Sequence, residues 1–137
     1  MIIDKLLHSD LEEIKRMPQG EVVLPRFKEK YGEGTIKVQG VRMEAYEEIA
    51  EFNKKHDGTD KVDARKAEMD LIVHGVVEPD FRDSRLLEKF HVQDPAEIVK
   101  AIFLPGEIVK ISKKIVELSG IDEGQNSQAN IDKEIKN

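Results

Sequence analysis

Between Glu21 and Val41 the apolar residues change their spacing, and this shift constrains the fold more than any other feature of the chain. Over most other segments they recur three and four apart, the repeat of one helix face. Here Thr35 to Val41 alternates Ile36 and Val38 with Lys37 and Gln39, the period of a half-buried strand. Glu21 to Lys28 is rich in Val and Phe, and Gly32-Glu33-Gly34 lies between the two runs. The sequence therefore predicts a β-hairpin over about 21–41 with a glycine-bearing loop. Pro25 cannot donate a ladder hydrogen bond, which leaves its strand a free edge. A lone two-stranded hairpin is marginal in water, so it must lie on helices or on a partner.

The rest reads as helix. Ile3, Leu6, Leu7, Leu11 and Ile14 mark one face of an N-terminal amphipathic helix that Met17-Pro18-Gln19-Gly20 ends. Ala45, Tyr46, Ile49, Ala50 and Phe52 mark another, closed by the turn pair Asp57-Gly58. A helix from about Asp60 to Val73 turns Ala64, Ala67, Leu71 and Ile72 inward, and Gly75 and Glu78-Pro79 stop it. A short helix near Ser84 to Phe90 follows. Asp94-Pro95-Ala96-Glu97 then supplies an N-cap acid, a proline at the first helical position and a glutamate at the third. After the break at Phe103-Leu104-Pro105-Gly106 the last helix runs to Ser119. Gly120 suits a left-handed cap, with Ile121 folding back towards Val116. These elements predict an α+β fold, mainly α-helical, with one domain over 1–121 and a polar, flexible tail over 122–137.

Composition narrows the function. The 137 residues contain no cysteine, which removes disulfides, thiolate zinc sites and cysteine nucleophiles together. Lys and Arg number 22 against 28 Asp and Glu, for a net charge of -6, and the two signs are interleaved. Such mixing argues for a solvated helix surface and against a grip on nucleic-acid phosphates. The apolar run Leu71-Ile72-Val73-His74-Gly75-Val76-Val77 is far short of the ~20 residues a membrane-spanning helix needs. Asp4, His8 and Asp10 break the start as a secretory leader. A cytoplasmic protein is expected.

Catalytic patterns are weak. His8, His56, His74 and His91 do not share a metal-ligand spacing, and no HExxH occurs, so no metal and no cofactor are expected. His56-Asp57 sits beside Gly58, where ordinary turn chemistry explains it better than a phosphohydrolase doublet. Gly32, Gly34 and Gly40 link strands and lack the GK[ST] ending of a phosphate loop. Ser84 and Ser112 lack a nucleophile-elbow context. A protein that binds other proteins without catalysis is the favoured class. A small regulator or adaptor, and an unrecognised hydrolase whose residues converge only in space, are the alternatives.

Taken in order, several stretches resemble a family. They are Arg26-Phe27-Lys28, the helix with Glu44-Ala45-Tyr46-Glu47-Glu48, and Val76-Val77-Glu78-Pro79-Asp80-Phe81-Arg82-Asp83. The Asp94-Pro95-Ala96-Glu97 helix start, Phe103-Leu104-Pro105-Gly106-Glu107-Ile108 and Leu118-Ser119-Gly120 complete the set. From about Phe27 to Ile121 the chain is similar to the XkdN-like phage tail assembly chaperones of prophages and phage-like elements in Gram-positive bacteria. The resemblance implies a non-catalytic protein that binds the tape measure protein, assists tail tube assembly and leaves before the tail is finished. It implies tail tube protein as a further partner and the host cytoplasm as the location; self-association is expected separately, from the free edge of the hairpin. It carries over no catalytic residue and no binding motif, so Glu78-Pro79 and Pro105-Gly106 count as structural punctuation.

The last helix offers a candidate contact surface. At ~100° per residue, Ile108, Ile111, Ile115 and Leu118 share one face wide enough for the core. Val109 and Val116 flank that face, and Phe103 lies just before the helix. The plain reading is that Phe103, Val109 and Val116 widen the core contact. The functional reading is an apolar strip for an amphipathic tape measure segment.

Overall fold

The structure is a computed structural model that describes residues 1–55, 57–59 and 61–121. Eight helices and a three-stranded antiparallel sheet make up the described residues, an α+β fold that is mainly helical. In chain order they are α1 (Ile2–His8), α2 (Leu11–Lys15), β1 (Gln19–Val23), α3 (Pro25–Tyr31), β2 (Thr35–Gln39) and α4 (Met43–Phe52). Then come α5 (Ala64–Gly75), β3 (Val76–Glu78), α6 (Ser84–Phe90), α7 (Pro95–Ile102) and α8 (Pro105–Leu118). The tail expected over 122–137 lies outside the described residues, as does His56.

The expected antiparallel pair is present, with Val22 opposite Ile36 and Gly20 opposite Val38. Its connection differs from the glycine loop read in the sequence. The first strand ends at Val23, and Pro25–Tyr31 is a helix with proline at its start and Gly32 as a left-handed cap, φ 81°. Pro25 thus serves as a first helical residue, where the missing N–H costs nothing, and not as a strand edge. A third strand joins β2 on its other side, pairing Val38 with Val76 and Lys37 with Glu78. The stretch after Gly75 was expected only to stop a helix. It passes straight from α5 into the sheet.

Val22, Ile36, Val38 and Val76 are buried on one face of the sheet, while Glu21, Lys37 and Glu78 face water. Helix α8 packs on β1 and β2, with α5 beside it and α7 against α5. Ile72, Ile98, Val99, Ile111 and Ile115 are almost completely buried among them. The crossing of α5 and α8 is tight at Gly75, where a Cβ would lie 2.6 Å from Ile115 Cδ1. Lys110 Nζ donates to Val23 O at 2.7 Å, and the Val41 N–H donates to Ser119 Oγ at 2.9 Å, fastening α8 to the end of β1 and its C-cap to the segment after β2.

Local chemistry sets the helix ends. The Asp94 carboxylate accepts from Ala96 N at 3.0 Å, and Pro95 opens α7. At the end of α8, Ile121 N donates to Val116 O at 3.2 Å and Gly120 N to Glu117 O at 3.0 Å, with Gly120 at φ 82°. This is the hydrogen-bond pair of a Schellman cap. Helix α5 starts later than its periodicity predicts, because the preceding residues pair elsewhere. Lys55 N donates to Lys61 O and Asp63 N to Asn53 O, leaving Asp63 to cap the helix through Lys66 N.

The N-terminal amphipathic helix is split into α1 and α2 at Ser9-Asp10. Ser9 is extended and its hydroxyl donates to Lys5 O, a side-chain bond that competes with helical continuation. No residue of α1 or α2 is buried, and Ile2, Leu7 and Leu11 stay largely exposed. The arm touches the body through Arg42 Nη2, which donates to Lys15 O at 2.9 Å.

Candidate partner-binding surfaces

Three of the sequence stretches singled out above meet in space. Phe103 stacks against Phe27 with ring centroids 5.5 Å apart and meets Phe81 edge-on at 5.8 Å. Phe27 in turn lies 5.7 Å from Tyr31. Edge-on and tilted rings are the favoured arrangements of aromatic quadrupoles. Beside this cluster Arg26 donates to both carboxylate oxygens of Glu107, at 2.7 and 3.1 Å, and to Ile102 O at 2.8 Å. Glu107 also accepts from Leu104 N at 2.8 Å, closing the first turn of α8. The Arg26 guanidinium holds the Glu107 carboxyl below its ordinary range, helped by the Leu104 amide and against the effect of burial. The Arg-Phe, Pro-Asp-Phe and Leu-Pro-Gly-Glu pieces therefore lock α3, the segment after β3 and the α7–α8 corner together.

Phe103, Val109 and Val116, the three candidate contact residues, are not on one surface. Phe103 is 5% exposed and belongs to the aromatic cluster. Val116 is half-buried and packs against the core, while Val109 is 48% exposed. The expected core face is in place, with Ile111 and Ile115 buried and Ile108 and Leu118 packed on the same cluster.

The polar candidates are dispersed. His8 is exposed and its Nδ1 lies 2.7 Å from Asp4 O. His91 is the left-handed cap of α6, φ 54°. Asp57 accepts from the backbone and hydroxyl of Thr59, with Gly58 at φ 83°, the chemistry of a turn. Ser112 lies within hydrogen-bond distance of Glu68 Oε2, 2.8 Å, and Val109 O, 3.1 Å. Among the described residues no group of three or more His, Asp or Glu is placed to hold a metal ion. No described helix is long and apolar enough to cross a membrane.

An open groove of about 530 Å³ runs between α4, α5 and the start of α7. Ile49, Val73, Phe52 and Pro95 supply apolar surface, and Glu48, Glu51, Asp70 and Asp94 stand around it with Arg82 and His74. Ile49 and Val73 are buried, but Phe52 is 71% exposed. His74 titrates below its ordinary value, first through burial and then through Arg82, whose Nη2 lies 3.2 Å from His74 Nδ1. Asp70 and Glu48 pull it the other way. Sequence reading did not single this groove out, although a signal was present. Helix α4, MEAYEEIAEF, has four glutamates and no Lys or Arg in a chain that otherwise mixes the signs.

Comparison with known proteins agrees with this architecture. No curated protein sequence matches. A crystal structure of the protein yqbn superposes with a TM-score of 0.60 at 24% identity, covering 83% of this chain and 98% of that one, a likeness of fold. The model of the phage XkdN-like tail assembly chaperone family matches residues 3–136. With nearly the whole sequence inside that match, and three of the stretches that carry the resemblance forming one structural lock, the chain belongs to the phage XkdN-like tail assembly chaperone family.

Proposed function

We propose that this protein is a non-catalytic chaperone of the host cytoplasm that binds the tape measure protein and assists recruitment of tail tube subunits. Family membership is the observation that carries this reading. Its surfaces support it. A tape measure is a long helical chain, and amphipathic helices are received on apolar strips and grooves. Val109 and Val116 stand two turns apart on α8, beside the exposed Lys110 and Lys113, and form a short strip at the edge of the core face. Phe103 contributes from beneath, by fixing the corner from which α8 starts. The exposed arm of α1 and α2, with the outer edge of β1, is the surface for self-association.

Co-expression with the tape measure protein is the test. The parent chain is expected to raise the soluble fraction of the tape measure protein. Val109→Gln is expected to lower that rescue with an unchanged melting temperature, since its side chain is half exposed. The Val109→Gln, Val116→Gln pair should abolish rescue with only modest destabilisation. Strong destabilisation of the pair would assign both valines to the core. A parent chain that leaves tape measure solubility unchanged would overturn the chaperone reading itself.

A further inference from the structure

The geometry points to the α4–α5–α7 groove as a second docking site, one that takes a basic amphipathic helix of a partner protein. It rests on the chaperone reading only for which protein supplies that helix. The groove combines two properties that select this occupant. Ile49, Val73 and Pro95 line it and Phe52 stands exposed at its side, so apolar side chains gain cover there. The groove is open and about 530 Å³ in volume, the kind of surface on which an amphipathic helix lays its apolar face. Four carboxylates, Glu48, Glu51, Asp70 and Asp94, line it with one guanidinium, Arg82, while at its edge Lys54 pairs with Glu51 at 2.9 Å and Lys66 lies 5.4 Å over the Phe52 ring, so the acids still outnumber the cations.

These carboxylates keep capacity for a partner. Asp70 accepts from Asn53 Nδ2 at 2.7 Å, Glu51 pairs with Lys54 on the exposed side of α4, and Asp94 caps α7. Each carboxylate has about four lone-pair sites, so one such bond leaves room for a lysine or arginine. The helix behind the rim adds Glu44 and Glu47, both exposed, with no cation of its own. His74 is depressed in its titration and adds little positive charge at neutral pH. An anionic metabolite is disfavoured by this rim. The arm of a second copy is a poorer match: its exposed leucines and isoleucines are accompanied by Asp4, Asp10, Glu12 and Glu13 against Lys5, Lys15 and Arg16.

Two synthetic helical peptides with the same leucines at i, i+3, i+4 and i+7 test this, one flanked by lysines and one by glutamates. Their binding to the full chain is read by fluorescence anisotropy. The lysine peptide should bind, more weakly as salt rises, and the glutamate peptide should not. Phe52→Gln combined with Glu48→Gln and Glu51→Gln should weaken the lysine peptide by at least about tenfold at unchanged melting temperature. Val109→Gln should leave it unaffected. Equal binding of the two peptides, or undiminished binding by the groove variant, overturns the proposal. So does tighter competition by a peptide of residues 1–16, which would give the groove to a second copy. Tape measure rescue, measured in parallel, separates the two readings. Lysine-peptide binding that needs the groove, with no rescue by the parent, keeps the groove and removes the chaperone role. Rescue by the parent with groove-independent peptide binding does the reverse.

Discussion

Arg26 and Glu107 show how much one residue pair can organise. Arg26 closes the α7–α8 corner by bonding both the Ile102 carbonyl and the Glu107 carboxylate, and Glu107 in turn accepts from the amide of Leu104, the N-cap of the next helix. Because the pair bridges residues far apart in sequence, its loss loosens the packing of α3 on that corner as well as the bond itself. The folded chain holds the Glu107 carboxyl below its ordinary value of 4.5, chiefly through Arg26. A depressed carboxyl stabilises the fold fully above its unfolded pKa and loses that contribution as pH falls through its folded value. Glu107→Gln is therefore expected to melt below the parent at neutral pH, with the gap closing on acidification below about 4.5. Thermal melts across that range check it, and a gap independent of pH would show that the charge is not what matters. Phe103 was legible as a residue of consequence before α8. That it faces Phe27 and Phe81 was not, because nothing local to Phe103 records which distant rings it meets.

At the scale of elements, capping chemistry and apolar period were the readable signals. Asp94-Pro95 opens α7, and Gly120 ends α8 in the arrangement its sequence calls for. Pro25 and Gly32 bracket α3 in the same way, but the Val-rich run before Pro25 carries a strand signal that obscures them. Gly75 illustrates the other limit. Its sequence context marks a helix end, which is correct, yet its missing side chain also lets α5 approach α8. A Cβ there would meet three side-chain carbons of the buried Ile115 between 2.6 and 2.8 Å. Gly75→Ala is expected to destabilise by about 1–3 kcal/mol, as overpacking of a filled core does. Chemical denaturation measures it, and Ile115→Val in the same background should recover part of the loss. A neutral Gly75→Ala would mean that the helices part without penalty.

For the whole molecule, the buried apolar residues among those described run from Val22 to Ile115, and the sequence beyond Ile121 is mostly polar. Removing 122–137 is accordingly expected to change stability by less than ~1 kcal/mol, as for changes away from packed features. A larger fall in the denaturation midpoint would mean that Ile131 and Ile135 contribute to the body. By itself the sequence determined most of the helices, the pairing of the first two strands, the α+β class and the caps of α7 and α8, because each depends largely on residues close together in the chain. The family, too, was legible in the order of short motifs. Only the tertiary structure decided that Val76–Glu78 completes the sheet, that Phe27, Phe81 and Phe103 converge, and that the N-terminal apolar face stays uncovered while the acidic α4 borders a groove. Strand pairing, ring contact and burial are properties of residues brought together from distant parts of the chain, and an apolar period states that a face needs cover without stating what provides it.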